Sequence, residues 1–362
     1  MPLTQRFDRL LFGATIFLTA VGLAVMGSAS WVLATERYRR SASYFLTWQG
    51  ATAAVGLVAM LIVMHLKTEV VLKPRVCGAF LASSWILLLA AFLQAPVNNT
   101  HRWLSLGGLS LQPSVIARPA MILVAAVLLD RARDAGWRWK ELVILGGVAA
   151  GTAGLILIEP DLGSAALIVV TLGAMTFTAG VPSRFLVGPG VVVAVAAVAA
   201  VLGEPYRLAR VKAFLGAGAS AAGYQSLQSL VAIGSGGILG RGYGAGLQKL
   251  FFLPEPHTDF VFASTAEELG LIGIVVLVAL AAVITWRGLV IARRQQLPAR
   301  ALLAFGLTVG FAIQALLHMM VCLRLLPPKG IPFPLVSYGK TDLLVTMISL
   351  GLLLSLSREV RA

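Results

Sequence analysis

The residues best placed to do chemistry lie in Leu253-Pro254-Glu255-Pro256-His257-Thr258-Asp259-Phe260. Two prolines stiffen the approach, so Asp259 is positioned just before a long apolar run rather than merely tethered there. A carboxylate in that setting can take a proton from a hydroxyl nucleophile or hold a divalent cation against a phosphate. Its plain structural role would be an N-cap. Glu267 and Glu268 follow two to three turns into the same apolar run, where carboxylates are costly and mark function or a polar pathway. Upstream, between Gly223 and Lys249, Gln225, Gln228 and Gly234-Ser235-Gly236-Gly237 alternate with apolar residues. Glycines there permit close backbone approach and could offer N–H groups to a phosphate.

Four other stretches carry polar groups between apolar runs. In Glu159-Pro160-Asp161-Leu162-Gly163, Asp161 suits an N-cap and Glu159 is left without a structural reason. In YRLARVKAF, Arg207, Arg210 and Phe214 fall at helical spacing, with Lys212 on another face. VNNTHRWLSLGGLSLQPSVIARP reads as an interfacial or re-entrant hairpin. Gly107-Gly108 would make its turn, Trp103 would sit in the interface, and Gln112-Pro113-Ser114 would open the next helix. PPKGIPFPLVSYGKTD, with four prolines, must be buried in protein or line a cavity if it lies at membrane depth.

The elements that must hold these residues are apolar helices. Of 362 residues, 58% are hydrophobic and only 12% charged, about half the charge of a water-soluble domain. The expected fold is therefore all-α: a polytopic membrane protein in one domain spanning 1–362, with no soluble domain inserted. Ten spans are expected, at about 10–33, 44–66, 76–93, 112–129, 142–158, 162–181, 185–203, 260–286, 301–325 and 342–357. The first reads as a retained helix, not a signal peptide. A large outer loop, about 204–259, joins spans seven and eight. More than half of the 29 basic residues fall in loops that become cytoplasmic if both termini are inside. The rest, including Arg102, Arg118, Arg207, Arg210, Lys249, Lys329 and Lys340, stay outside against that bias, which suggests an anionic ligand on the outer face. The small cluster at Glu36–Arg40 reads as a headgroup contact. A net charge of +14 dispersed in short clusters excludes a nucleic-acid surface, and Cys77 and Cys322 provide no disulfide or metal framework.

Taken together, HRWLSLGGLSLQPS, EPDLGSA, RLARVKAFL, GYQSLQSLVAIGSGGILGRGYG, QKLFFLPEPHTDFVFASTAEELGLIG and PPKGIPFPLVSYG resemble the SEDS family (shape, elongation, division and sporulation) from the first helix to the last. GYQSLQS, the QK before LPEP, and PPKG lean towards the FtsW and SpoVE branch, with RodA the nearby alternative. The resemblance implies a ten-helix peptidoglycan glycosyltransferase that polymerises lipid II on the outer face of the bacterial cytoplasmic (inner) membrane. It also implies a class B penicillin-binding protein as partner, with divisome proteins for a division member. The family's catalytic carboxylate corresponds to Asp259, acting as a base or as ligand to a divalent cation (Mg or Mn). Arg102, Arg210 and Lys249, with Arg118 and Arg207, would hold the leaving pyrophosphate, and Gln225, Gln228, Glu159, Glu267 and Ser337 would complete the substrate site. Alternatives are a lipid II flippase, suggested by Glu267 and Glu268, and a weakly active scaffold for the penicillin-binding protein. The chain departs from the family pattern at Val115, where an acid is usual, at Arg118 and Pro119, at Trp48, at His101, at Arg324 and at Lys340-Thr341-Asp342. Asp342 could supply charge missing at Val115.

Overall fold

The structure, a computed structural model, describes residues 7–95, 100–106, 109–214 and 221–360. The expected Gly107-Gly108 turn lies outside them. The helices in chain order are α1 (Arg9–Val32), α2 (Tyr44–Val63), the one-turn α3 (Thr68–Val71), α4 (Pro74–Ala91), α5 (Pro113–Asp134), α6 (Trp139–Ile158), α7 (Leu162–Ala179), α8 (Val187–Leu202), α9 (Pro205–Phe214), α10 (Ala221–Gly236), α11 (Val261–Arg294), α12 (Pro298–Cys322) and α13 (Lys340–Glu359). All but α3, α9 and α10 are long and apolar enough to cross a membrane, giving the ten spans expected. One small hairpin interrupts the all-α pattern: β1 (Leu104–Leu106) pairs antiparallel with β2 (Leu109–Leu111), Leu104 opposite Leu111.

One hydrophobic core runs from Leu11 to Leu356. Helix α5 is its hub and packs against α4, α6, α7, α12 and α13. Ala117, Ala120, Ala125 and Ala126 are fully buried there, and small side chains let neighbouring backbones approach where lipid offers no hydrophobic drive. Helix α8 is the opposite case, with no buried residue and a Val/Ala surface suited to lipid. At one end of the bundle Asp8 bonds Arg287 (2.5 Å), and Arg300 reaches Glu69 (2.8 Å) and Glu359 (3.2 Å). The start of α1 and the end of α13 therefore share that end, as an even number of spans requires.

The stretch from Gly223 to Gly270 differs from a simple outer loop. Its first part is the helix α10, anchored where Ser229 donates to the carbonyl of Cys322 (2.8 Å). Its last part contains a break: α11 leaves helical geometry at Gly270 (φ 64°, ψ −160°). Segment 236–242 docks into that break. The N–H groups of Arg241 and Gly242 donate to the carbonyls of Glu267 (2.9 Å) and Glu268 (3.0 Å), and Leu271 N–H donates to Gly237 (2.9 Å). A Cβ at Gly236 would lie 1.8 Å from the Ala266 carbonyl oxygen, so glycine is required by close approach. Gly236 and Gly237 thus serve the break in α11, and Gly234, Ser235 and Gly236 form the last turn of α10 rather than a phosphate-binding loop.

The same packing gives two residues expected at the substrate site partners of their own. Glu267, expected to bind substrate or line a pathway, is 2% exposed and accepts from the backbone N–H groups of Leu247 (2.8 Å) and Gln248 (3.1 Å). Lys249, expected among the pyrophosphate ligands, is buried instead against Glu268 (2.7 Å), which also accepts from Ser28 Oγ (2.6 Å) and Gly244 N–H (3.0 Å). Carboxylates this deep need charge and hydrogen-bond partners, and the loop backbone with Lys249 supplies them.

Candidate active site

Asp259 sits at the opposite end of the bundle from Asp8, on a turn closed by its own N–H donating to the Glu255 carbonyl (3.1 Å). It is not the N-cap of α11; Phe260 holds that position, without a side-chain capping bond. The turn is pinned from below by the SYG segment. Ser337 Oγ donates to the Thr258 carbonyl (2.6 Å), and Tyr338 N–H donates to that of His257 (2.9 Å). Gln49 on α2 holds this segment in turn, donating to the Ser337 carbonyl (3.0 Å) and accepting from Gly339 N–H (3.3 Å). Ser337, expected to touch substrate, is 3% exposed and spends its hydroxyl on the turn. His257 is buried between the rings of Phe45 (5.0 Å) and Tyr338 (5.6 Å), and burial lowers its pKa to about 4, so it stays neutral.

The proline-rich strap after α12 forms the facing wall. A Cβ on Gly330 would lie 3.3 Å from Asp259 Oδ2, so this glycine leaves the backbone close against the carboxylate. The strap is tied by Arg210, which donates to the Pro328 carbonyl (2.7 Å), by His318 Nδ1 on the Ile331 carbonyl (2.7 Å), and by Gln314, which donates to that of Pro332 (2.9 Å). Gly163 is packed against Ile331, which links the strap to the EPDLG turn. There Asp161 caps α7 through Ser164 N–H (3.1 Å) and accepts from Gln112 (3.0 Å) and Ser114 (2.9 Å), joining three segments with one carboxylate.

Around Asp259 the charges are arranged unevenly. Burial and the neighbouring Glu255 raise its pKa to about 6, while Thr258, Arg210 and Arg102 act the other way. Arg102 donates to the carbonyls of Glu159 (3.1 Å) and Pro160, which holds the hairpin over the EPDLG turn. Glu159 is fully buried, with neither carboxylate oxygen bonded to a described residue. Burial, reinforced by Asp161 and opposed by Arg102, raises its pKa to about 8, so it is mostly protonated at neutral pH. Arg207 donates to the carbonyls ending α8 (Ala200, 2.8 Å) and α6 (Leu157, 3.5 Å). Lys329, on the strap next to Gly330, completes the group. Burial lowers its pKa to about 8, Asp161 counteracts this, and Arg207, Arg210 and Arg102 add to it.

The structure therefore brings Arg102 and Arg210 into electrostatic range of Asp259, sets Glu159 beside Arg102, and adds Lys329 next to Arg102, Arg207 and Arg210. The sequence had marked Lys329 only as one outward cation within PPKG; its distance of 70 residues from Asp259 hid their proximity. Gln225 and Gln228 are half-buried on α10, and their side chains hydrogen-bond to no described residue. Arg118 is placed elsewhere, deeper in the bundle. Its guanidinium donates to Asp342 (2.8 Å) and Gln314 (2.5 Å), so it is occupied by neighbouring helices and not by the Asp259 group. Two departures from the family pattern thus pair with each other, and so do two more: the Lys340 ammonium lies over the Trp48 ring, 5.0 Å from its centroid.

Fold and site together define a polytopic, ten-span membrane protein that presents one carboxylate to a converging set of cations at one end of its bundle. The chain belongs to the FtsW, RodA and SpoVE family: the family described as "Cell cycle protein" matches residues 8–362. Among its curated relatives, a "Probable peptidoglycan glycosyltransferase FtsW" of Legionella pneumophila is 37% identical over 368 residues, covering 98% of this chain and 92% of that protein. A protein of the same description from Halothiobacillus neapolitanus is 37% identical over 363 residues, covering 98% and 87%. The solved structure described as "Structural coordination of polymerization and crosslinking by a peptidoglycan synthase complex" superposes with a TM-score of 0.78 at 25% identity, covering 98% of each chain. Thermus thermophilus RodA shares the fold, with a TM-score of 0.73 at 24% identity over 100% of both chains.

Proposed function

We propose that this protein is a peptidoglycan glycosyltransferase that polymerises lipid II, with Asp259 as its catalytic carboxylate. The single observation that carries the reading is the placement of Asp259 against the Gly330 backbone, under the influence of Arg102 and Arg210. In the reaction a sugar hydroxyl attacks the anomeric carbon of a lipid-linked saccharide. A C–O bond forms to that carbon as its bond to the pyrophosphate oxygen breaks. Asp259 takes the hydroxyl proton. The lipid pyrophosphate leaves with the bonding electrons, and Arg102, Arg210 and Lys329 stabilise its charge, with Arg207 behind them. Pyrophosphate needs no strong general acid, so one ionised carboxylate suffices where a glycosidase uses two.

A divalent cation, Mg or Mn, fits this site in a limited way. No group of three His, Cys, Asp or Glu able to hold a metal occurs among the described residues. Asp161 is saturated by hydrogen bonds and Glu159 is enclosed, which leaves Asp259, with Glu255 nearby, as the carboxylates able to meet the ion. Magnesium is commonly held by one carboxylate together with substrate phosphates and water. When bound, the ion would add positive charge at the pyrophosphate.

The flippase alternative loses its motive, since Glu267 and Glu268 are committed to loop backbone and Lys249. The proposed setting is the bacterial cytoplasmic membrane, both termini inside and the Asp259 end outside, which keeps most basic loops on the retained side. The proposed partner is a class B penicillin-binding protein, with divisome proteins beside it in a dividing cell. Support comes from the family and from the peptidoglycan synthase complex, one chain of which this fold resembles. The test is purified protein with lipid II and a divalent cation. Glycan chains should form, and Asp259→Ala should lower the rate by about 100-fold or more, as loss of a general base does. Normal polymerisation by that variant would refute the assignment.

A further inference from the structure

At the end of the bundle away from Asp259, the start of α1 and the ends of α11 and α13 enclose a groove of about 500 Å³. That is within the range of roughly 300–1,000 Å³ typical of small-ligand sites. Its lining combines the apolar Phe7, Leu10, Val290 and Ile291 with the cations Arg9, Arg287 and Arg294. One carboxylate faces these three cations. Asp8 Oδ1 caps α1 through Leu11 N–H (2.9 Å), and Asp8 Oδ2 accepts both Nε (2.9 Å) and Nη2 (2.5 Å) of Arg287. Its charge is therefore spent on Arg287. Arg9 and Arg294 form no ion pair with a described residue, and both are exposed at the rim. The adjacent Trp286 is 55% exposed, its ring beneath Arg287 at 5.2 Å, as for an indole at the boundary between hydrocarbon and headgroups.

Two exposed guanidiniums with no ion pair to a described residue, beside apolar side chains at the mouth of spanning helices, match a phosphate carried on acyl chains. The planar fork of arginine binds phosphate bidentately. The apolar side chains of the lining would accept the first methylenes of the chains, which a free anion does not have. Basic pockets between spanning helices are a recognised way to hold anionic headgroups.

We propose that this groove binds the phosphate headgroup of one anionic phospholipid, phosphatidylglycerol being the simplest, through Arg9 and Arg294. The site is separate from the Asp259 group and stands whether or not the glycosyltransferase reading holds. Native mass spectrometry of delipidated full-length protein in detergent, titrated with phosphatidylglycerol, phosphatidylcholine or glycerol 1-phosphate, tests it. The unmutated chain should retain one phosphatidylglycerol in preference to the other two. R9Q/R294Q should bind it about thirtyfold more weakly, the effect of two charges lost at a membrane surface. R9K/R294K should recover most of that loss, which separates charge at the rim from misfolding. R131Q/R133Q, in the last turn of α5 and outside the groove, should bind like the unmutated chain. Equal binding by R9Q/R294Q, equal retention of phosphatidylcholine, or equal retention of glycerol 1-phosphate would each overturn the proposal.

Discussion

Asp259 and Lys329 stand on either side of neutral pH, and the reaction needs the first ionised and the second charged. Polymerisation rate should therefore rise with pH as Asp259 loses its proton near pH 6, and fall as Lys329 loses its own near pH 8. Lys329→Arg, which stays charged, should remove the alkaline limb and leave the acid one, whereas Lys329→Met should depress the rate at every pH. Glu159 gives a stability test with a definite sign. Its folded pKa, raised to about 8 from 4.5, means that the folded state binds a proton the unfolded chain has released between those values. The wild-type chain should accordingly lose stability as pH rises from about 5 to 8. Glu159→Gln should be no less stable below that window, gain increasingly on the wild type through it, and keep a constant advantage above it, measured as the thermal midpoint at each pH. Arg118 and Asp342 provide a third residue-scale test. Asp342→Asn leaves a mostly buried guanidinium without its counter-charge and should destabilise by about 3–5 kcal/mol, in the range for breaking buried pairs. The swap Arg118→Asp with Asp342→Arg should recover part of that in a double-mutant cycle. A sequence reader can suspect that Asp342 replaces the acid missing at Val115, but only contact at 2.8 Å assigns it to Arg118.

At the scale of elements, the site is a junction of irregular segments held by helices that do no chemistry. The strap takes its position from Gln314 and His318 one turn apart on α12, and the Asp259 turn takes its position from Ser337 and Tyr338, themselves clamped by Gln49. The break in α11 at Gly270 belongs to the same design, because docking of the Gly236–Gly242 segment there fixes the chain that leads on to Asp259. A Cβ at Gly240 would lie 2.2 Å from the Glu268 carbonyl oxygen, on a backbone with φ of 79°, whereas a Cβ at Gly13 meets nothing within 4 Å. Gly240→Ala should lower the thermal midpoint and the polymerisation rate together, while Gly13→Ala should be neutral or slightly stabilising through helix propensity. Lys249→Met should also destabilise, by uncovering Glu268, and its loss of activity should follow its loss of folded protein. If Lys249→Met stayed fully folded yet failed to bind substrate, the pyrophosphate role first expected for it would return.

At the scale of the whole molecule, ten spans place Asp8 and Ser357 at one end and Asp259 at the other. Cysteines introduced at Arg39 and at Lys67 should react with an impermeant thiol reagent from opposite sides of the membrane, Arg39→Cys from outside. The reverse pattern would refute the proposed orientation. Hydropathy alone determined the number of spans and most of their limits, because a bilayer requires about 20 apolar residues per helix wherever the chain crosses. Motif order likewise determined the family and singled out Asp259. Local pattern also anticipated that Asp161 would cap α7 and that Arg207 and Arg210 would share a helix. What only the tertiary structure decided is which charges face one another. Lys249, Glu267, Arg118 and Ser337 have the same residue types and the same apparent side of the membrane as the groups near Asp259, yet each is consumed by a neighbour. A buried charge acts on whatever lies within a few ångströms, and in a ten-helix bundle those partners come from segments tens to hundreds of residues away. For that reason the sequence could name the carboxylate at position 259, and only the fold could show Lys329 and Arg210 around it and Lys249 elsewhere.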